Sequence, residues 1–282
     1  MAVKLVIESS SDIDNKEAEK LGITMLSVPI TFGEEEFSDG INITKSVFYD
    51  KLVKCSSLPK TSMINTYRFE EAFDEHIKNG DEVVAIVLSS QLSATCNSAK
   101  QASEKFNGKV YVVDSLSATA GIKVLIEYAL RLINEGKSAK EIFEILEDKK
   151  QKLQVRAMVD TLKYLKKGGR VSPLVAFAGE LMGIKPLVAV INGKVEVVGK
   201  AMGVKKAIDQ IDKDIAKLGG IDFDMPFYVI YSGNDNSKVD NYISSHKEMW
   251  ECGIENVKQN CVGATIGTHI GPGAIGVVFF SK

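Results

Sequence analysis

The sequence predicts an α/β fold of two domains, an N-terminal parallel α/β domain over residues 1–154 and a C-terminal α+β domain over residues 155–282. In the first half, short apolar segments alternate with amphipathic helical segments, the pattern of a parallel sheet covered by helices. The second half contains an Asn192-Gly193 hairpin signal between two apolar segments. Since no long linker separates the halves near Gln154, we expect them to pack closely and leave a cleft.

The N-terminal half is interpreted from hydrophobic periodicity and capping signals. Val83–Leu88 is an unbroken apolar run, as expected for a strand buried on both faces of a sheet. Ser138 and Glu141 form a predicted capping box at the start of one helix. The predicted strands are 4–7, 23–32 (broken by Pro29), 83–88 and 110–113, and the predicted helices are 16–21, 44–54, 66–78, 94–106, 122–133 and one from Ser138.

The C-terminal half is predicted to hold a hairpin over 187–198, strands at 227–231 and 274–280, and helices at 204–218 and 236–251. Gly168-Gly169 ends one predicted helix, and Ser172-Pro173 begins the next as N-cap and first turn. Residues 174–187 form a strongly apolar helix and turn. This segment either belongs to the hydrophobic core or forms the wall of a hydrophobic pocket. A flexible side chain such as Met182 is suited to such a wall.

Composition excludes several classes of protein. The chain has 282 residues, a net charge of −2, 45% hydrophobic and 26% charged residues. Such a charge gives no global field for nucleic acid or an anionic membrane. The four cysteines form no C-x-x-C pair, which argues against a zinc site or a disulfide framework. No apolar run approaches membrane-spanning length, and the N-terminus predicts a strand rather than a signal peptide, so we expect a cytoplasmic protein without an integral membrane segment.

Hydroxyl-rich turns follow the predicted parallel strands. They comprise residues 9–11, 89–93 and 115–117, and the Thr61-Ser62 loop is a candidate fourth member. Because the carboxyl ends of parallel strands meet at one rim, these turns should lie together. Ser93 also stands at a helix N-terminus, where the dipole and free N–H groups favour an anion, although a plain helix cap would explain it too.

His269 and Arg170 are the other candidate polar residues. His269 lies among Gly267, Gly271 and Gly273, which predicts a rigid turn, either functional or simply tight. Arg170 follows the Gly168-Gly169 pair. The two glycines predict a loop of defined conformation, in contrast to the solvated basic turn that a charge cluster alone would indicate.

The motifs resemble those of the DegV family of fatty-acid-binding proteins, from residue 4 to residue 280 and in the same order. The matching segments are 8–12 (Glu-Ser-Ser-Ser-Asp, with Glu8 in place of the usual Asp), 60–62 (Lys-Thr-Ser), 88–95 (Leu-Ser-Ser-Gln-Leu-Ser-Ala-Thr), 165–170 (Leu-Lys-Lys-Gly-Gly-Arg) and 266–274 (Ile-Gly-Thr-His-Ile-Gly-Pro-Gly-Ala). Each motif alone is weak, but five in register make the resemblance specific.

This resemblance implies a long-chain fatty acid between the two domains. Its carboxylate would be held by Thr61 and Ser93, with Ser62, Arg170 and His269 nearby and His269 orienting Ser93. It also implies a non-enzymatic, acyl-presenting subunit of a fatty-acid kinase that makes acyl phosphate for phospholipid synthesis, without a metal or another cofactor. Two departures bear on that partner: Met63-Ile64 replaces a Gln-Pro pair, and Met202 stands where a basic residue is common.

Two other functions remain as alternatives. A serine hydrolase would use Ser93 as nucleophile and His269 as base, with Glu8 or Asp114 as the candidate third member. A binder of a small polar metabolite, like the related substrate-binding part of dihydroxyacetone kinases, would need a small polar cavity.

Overall fold

Strands and helices alternate along the chain in the computed structural model, which describes residues 2–171 and 183–282. The strands are β1 (Val3–Glu8), β2 (Thr24–Leu26), β3 (Pro29–Phe32), β4 (Glu35–Ser38), β5 (Lys60–Thr61), β6 (Glu82–Val87), β7 (Val110–Asp114), β8 (Leu153–Met158), β9 (Ile184–Ile191), β10 (Lys194–Met202), β11 (Tyr228–Tyr231), β12 (Gln259–Cys261) and β13 (Ile275–Phe280). The α-helices are α1 (Asn15–Leu21), α2 (Lys45–Lys54), α3 (Thr66–Lys78), α4 (Thr95–Ser103), α5 (Ala120–Asn134), α6 (Ala139–Lys149), α7 (Lys163–Lys167), α8 (Gly203–Lys217), α9 (Ser237–Ser245) and α10 (Ala264–Ile270).

The N-terminal sheet is parallel, with strand order β2-β1-β6-β7. The alternation of side chains along β6 explains its unbroken apolar run. Val84 and Ile86 enter one apolar cluster, which includes side chains of α5 and α6, whereas Val83 and Ala85 enter another with side chains of α3 and α4. Both faces of the sheet are therefore buried under helices, as predicted.

The C-terminal sheet is mixed, with strand order β10-β9-β8-β13-β11-β12. Only β11 and β12 are parallel neighbours among its described pairs. Val277 and Phe279 of β13 pack under α8 and α9, while Val278 and Phe280 join the cluster around α5. Helix α5 therefore lies between the two sheets and contributes to a core that both share. The predicted fold class is confirmed; the division at residue 154 stays a prediction, although β8, beginning at Leu153, belongs to the second sheet.

A small antiparallel sheet, with order β4-β3-β5, lies beside helix α2. The sequence predicted one strand over residues 23–32, but the chain turns at Ser27-Val28 and splits it. The first piece, β2, joins the parallel sheet, and the second, β3, starts at Pro29 and pairs with β5. The pairing of Ile30 with Thr61 fixes the position of Thr61.

Three predictions about the second half were wrong in detail. The helix predicted over 236–251 ends at Ser245, and β8 was missed. His269 lies in helix α10 rather than in a turn. A Cβ on Gly267 would lie within 3 Å of the Phe48 and Tyr49 side chains, so that glycine lets α10 pack closely on α2. The predictions for Ser172-Pro173, for residues 174–182 and for Met182 lie outside the described residues.

None of the helices in residues 2–171 and 183–282 combines the length and the apolar character needed to cross a bilayer.

Candidate functional site

A cavity of about 240 Å³ opens where the small sheet, the parallel sheet and the loops of the second half meet. All five residues predicted to bind a ligand line it: Thr61, Ser62, Ser93, Arg170 and His269. The other walls are mainly apolar side chains: Val28, Met63, Leu88, Leu92, Ala118, Leu165, Val195, Ile266 and Ile270. The cavity therefore combines a polar end with apolar walls.

Thr61 and His269 form the first polar contact of the cavity. The Thr61 Oγ1 lies 2.9 Å from the His269 Nε2. This corrects the prediction that His269 orients Ser93, because the imidazole faces Thr61. The sequence could not show this pairing, since it depends on the short strand β5 and on helix α10, neither of which was predicted.

The His269 ring is held in its neutral form. Burial, with a smaller effect from the neighbouring Arg170 charge, lowers the pKa of His269 to about 4. Its Nδ1 is buried without a hydrogen-bond partner. The backbone of Gly168 packs against this nitrogen so closely that a Cβ there would lie 2.4 Å away. A glycine at 168 therefore sets the position of the ring.

Ser93 belongs to a second hydrogen-bonded chain. Its Oγ accepts from the Thr95 N–H at 3.2 Å and lies 3.0 Å from the Thr95 Oγ1. The Thr95 Oγ1 in turn accepts from the Ile64 N–H at 3.2 Å. Ser93 therefore bonds the first residue of α4 without being its N-cap, which is Ala94, and it also lines the cavity. Thr95 connects the loop after Thr61 to the Ser93 turn, because its hydroxyl contacts both the Ile64 N–H and the Ser93 hydroxyl. In the sequence it was only one of several hydroxyls in this turn.

Two further hydroxyls of the predicted rim hold loops together, whereas the Ser10 and Ser117 hydroxyls are buried without a hydrogen-bond partner. The Ser89 Oγ donates to the Gly193 carbonyl at 2.7 Å, which joins the turn after β6 to the hairpin of the second sheet. The Ser9 Oγ accepts from the Val28 N–H at 3.0 Å. These contacts give Ser9 and Ser89 a structural role that needs no ligand.

Arg170 bridges the two halves at the cavity. Its Nε donates to the Leu92 carbonyl at 3.3 Å, immediately before Ser93, and its Nη1 donates to the Gly168 carbonyl. The side chain is half-buried. Arg170 thus supports both the Ser93 turn and the loop behind His269.

Two buried carboxylates anchor the N-terminus of α10, the helix that carries His269. The Asp12 side chain accepts from the Gly263 N–H at 2.8 Å and from the Asn260 amide at 2.7 Å, and Thr119 donates to it as well. The Asp39 side chain accepts from the Thr265 N–H at 2.9 Å. The helix dipole favours negative charge at this end.

Burial raises the pKa of both Asp12 and Asp39, although hydrogen bonds oppose the shift and Lys45 also opposes it at Asp12. The carboxylates come from the first half of the chain and the helix from the second, so this network fixes the two parts of the cavity against each other.

We expect Asp12→Asn to destabilise the fold by about 1–3 kcal/mol, because a side-chain amide cannot accept from all the donors that converge on Asp12. The backbone at Asp12 has φ of 65°, a conformation that asparagine tolerates, so the loss would come from the hydrogen bonds. Urea unfolding measures the free energy of unfolding. Asp14→Asn is the matched control: Asp14 caps α1, where asparagine is an equally good cap. Equal unfolding free energies for the two variants would contradict the anchoring role of Asp12.

Glu8, which the sequence analysis considered only as a candidate third member of a hydrolase triad, is a further functional candidate. Its side chain is fully buried at the end of β1 and lines the cavity. Oε1 accepts from the Leu88 N–H at 2.7 Å, while Oε2 has no hydrogen-bond partner. Burial, opposed by hydrogen bonding and reinforced by the Asp39 charge, raises the pKa of Glu8 to about 7.

A hydrolase triad is not assembled among the described residues. Ser93 contacts Thr95, and His269 contacts Thr61. The Asp114 Oδ1 accepts from the Ser90 and Leu116 N–H groups. Neither Asp114 nor Glu8 orients the imidazole, so the relay that serine hydrolysis needs is missing from this arrangement.

Comparison with known proteins places the chain in a family. The model of the family described as "Uncharacterised protein, DegV family" matches residues 2–282. The chain belongs to the DegV family. A DegV domain-containing protein of Caldanaerobacter subterraneus is 31% identical over 284 residues, with 99% of each chain covered. Another, from Deinococcus radiodurans, is 28% identical over 281 residues, with 98% of each covered.

Solved DegV structures share the whole fold. A Thermus thermophilus DegV family protein, described as fatty-acid binding, has a TM-score of 0.87 and 30% identity, with 100% of both chains covered. Bacillus subtilis DegV, described as a fatty acid binding protein, has a TM-score of 0.83 and 29% identity, also with 100% coverage of both. The DegV resemblance predicted from the sequence motifs is thereby confirmed.

Proposed function

We propose that this DegV protein binds a long-chain fatty acid, with the carboxylate at the Thr61–Ser93 end of the cavity and the acyl chain along its apolar walls. The observation that carries the proposal is the pair of hydroxyls, each backed by its own hydrogen-bonded partner, in a cavity whose other walls are mainly apolar. Relatives of the same fold are described as fatty-acid binding.

The hydrogen-bond directions suit an anion. If the His269 Nε2 carries the proton of the neutral ring, it donates to Thr61, whose own hydroxyl hydrogen is then available to the ligand. Similarly, the Thr95 Oγ1 accepts from the Ile64 N–H, so its hydrogen can go to Ser93 and leave the Ser93 hydroxyl free to donate. A buried carboxylate is costly unless it is hydrogen-bonded, and these two donors meet that need.

The apolar walls account for the acyl chain. Burying about fourteen methylenes at ~0.8 kcal/mol each contributes about 11 kcal/mol before ordering costs. A small polar metabolite would leave Val28, Leu88 and Ile266 facing its polar groups, so the cavity favours a lipid over that alternative.

The proposal extends to presentation of the fatty acid to a fatty-acid kinase, with this protein as a non-catalytic subunit. Arg170 and exposed Ser62 lie at the polar end, where a carboxylate would meet a phosphoryl donor. Met63 and Met202 are 51% and 57% exposed, so the positions that depart from the family pattern are open to a partner. The cytoplasmic location stays a prediction.

Native mass spectrometry of the purified protein tests the ligand class. We expect one co-purifying acid of about fourteen to eighteen carbons per chain, a size that matches the methylene count above. A polar metabolite in its place, or a protein that neither retains nor takes up fatty acid, would refute the proposal.

Gly168→Ala is expected to weaken fatty-acid binding about tenfold, the loss of roughly one hydrogen bond to a charged group. The backbone at residue 168 has φ of −75°, which alanine adopts freely, so the effect would come from the new methyl pushing the His269 ring away from Thr61. Displacement of a fluorescent fatty acid gives the Kd. Lys167→Ala, at the exposed neighbouring position, is the control and should bind as the wild type does. Wild-type affinity in Gly168→Ala would show that the ring position is not needed.

Arg170→Ala is expected to reduce acyl-phosphate formation by a fatty-acid kinase more than it reduces fatty-acid binding, because a fixed guanidinium suits the charge that develops on a transferring phosphoryl group. Kd and coupled kinase turnover are compared at low and high salt. Equal losses in both quantities would assign Arg170 to support of the Ser93 turn alone.

A further inference from the structure

Thr95 contacts the Ser93 hydroxyl with two of its own groups. Its backbone N–H donates to the Ser93 Oγ at 3.2 Å, and its side-chain oxygen lies 3.0 Å from the same atom. Thr95 is the first residue of helix α4 and is 1% exposed. One buried residue therefore bonds twice to the hydroxyl oxygen of Ser93, which lines the cavity.

The hydrogen-bonding capacity of a hydroxyl determines what Ser93 has left for a ligand. A hydroxyl oxygen accepts up to two hydrogen bonds and donates one. If the Thr95 hydroxyl donates to Ser93, the Thr95 N–H and O–H groups together fill both acceptor sites of Ser93. Only the hydrogen of the Ser93 hydroxyl then remains, so Ser93 can meet a ligand only as a donor.

The Ile64 N–H favours this direction of the hydrogen bond. It donates to the Thr95 Oγ1 at 3.2 Å, and Ile64 is 1% exposed, so the donor is fixed on one side of the Thr95 oxygen. Among the described contacts of the Thr95 Oγ1, the Ser93 Oγ is the one acceptor within reach of its hydrogen. The donors therefore run from Ile64 through Thr95 to Ser93 and end at the cavity.

We propose that Thr95 is a positioning residue that makes the Ser93 hydroxyl a dedicated donor to the ligand carboxylate, without binding the carboxylate itself. The inference rests on the proposed function, since it requires a carboxylate held by Thr61 and Ser93. It also makes the site selective for an ionised head group, because a charged acceptor gains more from a fixed donor than a neutral one does.

The first test is a double-mutant cycle on Thr95 and Ser93, since Thr95 also lines the cavity and a direct contact with the ligand has to be told apart from an effect through Ser93. Thr95→Val keeps the shape of the side chain and the backbone N–H but removes the hydroxyl. Displacement of a fluorescent fatty acid by hexadecanoic acid should show a Kd about tenfold higher in Thr95→Val, and at most about twofold higher when the same change is made in Ser93→Ala.

Two further variants complete the cycle. Thr95→Ser keeps the hydroxyl and should bind hexadecanoic acid within about twofold of the wild type. Thr66→Val is the matched control, because Thr66 is the first residue of helix α3, its hydroxyl donates to the Gln101 side chain at 3.0 Å, and it does not line the cavity. This control should bind as the wild type does.

The second test compares hexadecanoic acid with hexadecanol, which has the same chain and a neutral head group. A general loosening of the cavity would weaken both ligands equally. Loss of a positioned donor should instead weaken the acid about tenfold and the alcohol about threefold, because a hydrogen bond to a charged group is roughly twice as strong as one to a neutral group.

The outcomes separate this inference from the proposed function. If hexadecanoic acid does not bind to the wild type, both fail. If it binds, fatty-acid binding stands, and the role of Thr95 is refuted by any of three results: wild-type affinity in Thr95→Val, equal losses with and without the Ser93 hydroxyl, or equal losses for the acid and the alcohol. A Thr95→Ser variant as weak as Thr95→Val would refute it as well.

Should Thr95→Val not fold, the crystal structure of the wild-type protein with bound hexadecanoic acid decides. We expect the Ser93 Oγ within hydrogen-bond distance of the carboxylate and the Thr95 Oγ1 within that distance of Ser93 alone of these two groups. A Thr95 Oγ1 bonded to the carboxylate, or a Ser93 hydroxyl turned away from it, would overturn the inference.

Discussion

Removing the Thr61 and Ser93 hydroxyls is expected to cause the largest loss of fatty-acid affinity of any pair of substitutions in the cavity. Each hydroxyl donates a charge-assisted hydrogen bond to the proposed carboxylate, a contact of about 1.5–3 kcal/mol, or roughly 10- to 150-fold in Kd. Thr61→Val keeps the shape of the side chain and also leaves the His269 Nε2 without its partner. Ser93→Ala removes the acceptor of the Thr95 N–H as well as the donor.

Fatty-acid displacement on the two single variants and the double variant measures these losses. Ser103→Ala is the control, because Ser103 is half-buried, does not line the cavity, and bonds only the Lys100 carbonyl among its described contacts. Wild-type affinity in both single variants would remove Thr61 and Ser93 from the carboxylate site. A loss in the double variant that exceeds the product of the single losses would show that the two hydroxyls act on one group.

Fatty-acid affinity is also expected to fall as the pH rises above neutrality. Burial raises the pKa of Glu8 to about 7, so its carboxyl loses its proton in this range. An unsubstituted acyl chain beside an ionised, partly unpaired carboxylate is unfavourable, so binding favours the protonated form. The Kd should therefore be nearly constant well below the pKa, approach a rise of about tenfold per pH unit well above it, and increase by about fiftyfold between about pH 7 and pH 9.

Measurement of Kd for hexadecanoic acid across that range, in wild type and Glu8→Gln, isolates the effect. The glutamine variant does not titrate, so its Kd should stay nearly constant. His269, with its pKa lowered to about 4, is neutral throughout this range. Parallel pH profiles for the two proteins would show that Glu8 does not face the chain.

Local signals predicted much of the fold. The apolar run of β6 predicted a strand with both faces buried, Asn192-Gly193 predicted the hairpin, and the Ser138–Glu141 capping box is present at α6. Where tertiary contacts override local preference, the prediction failed. The glycine spacing around His269 predicted a turn, but the segment is helix α10. Gly267 is needed there because the Phe48 and Tyr49 side chains leave no space for a Cβ.

For the candidate site, the sequence supplied residues but not their partners. The motif resemblance brought Thr61, Ser93 and His269 together, and all three line one cavity. It paired His269 with the wrong hydroxyl, because the contact depends on strand β5, which is only two residues long. The sequence could not show that Glu8 Oε2 is buried without a hydrogen-bond partner, because burial and hydrogen bonding depend on the three-dimensional structure.

The position of α5 between the two sheets constrains how a lipid enters and leaves. Ile122 and Leu125 of α5 share one cluster with Tyr228 and Val278 of the second sheet. Hinged separation of the halves would expose this cluster to water at about 25 cal/mol for each Å² of apolar surface. Ser62 and Met63 line the cavity, are exposed to solvent and lie outside that cluster, so displacing them would leave the shared core closed. If the proposed fatty acid is bound, its exchange would therefore cost less through local displacement of this loop than through domain opening.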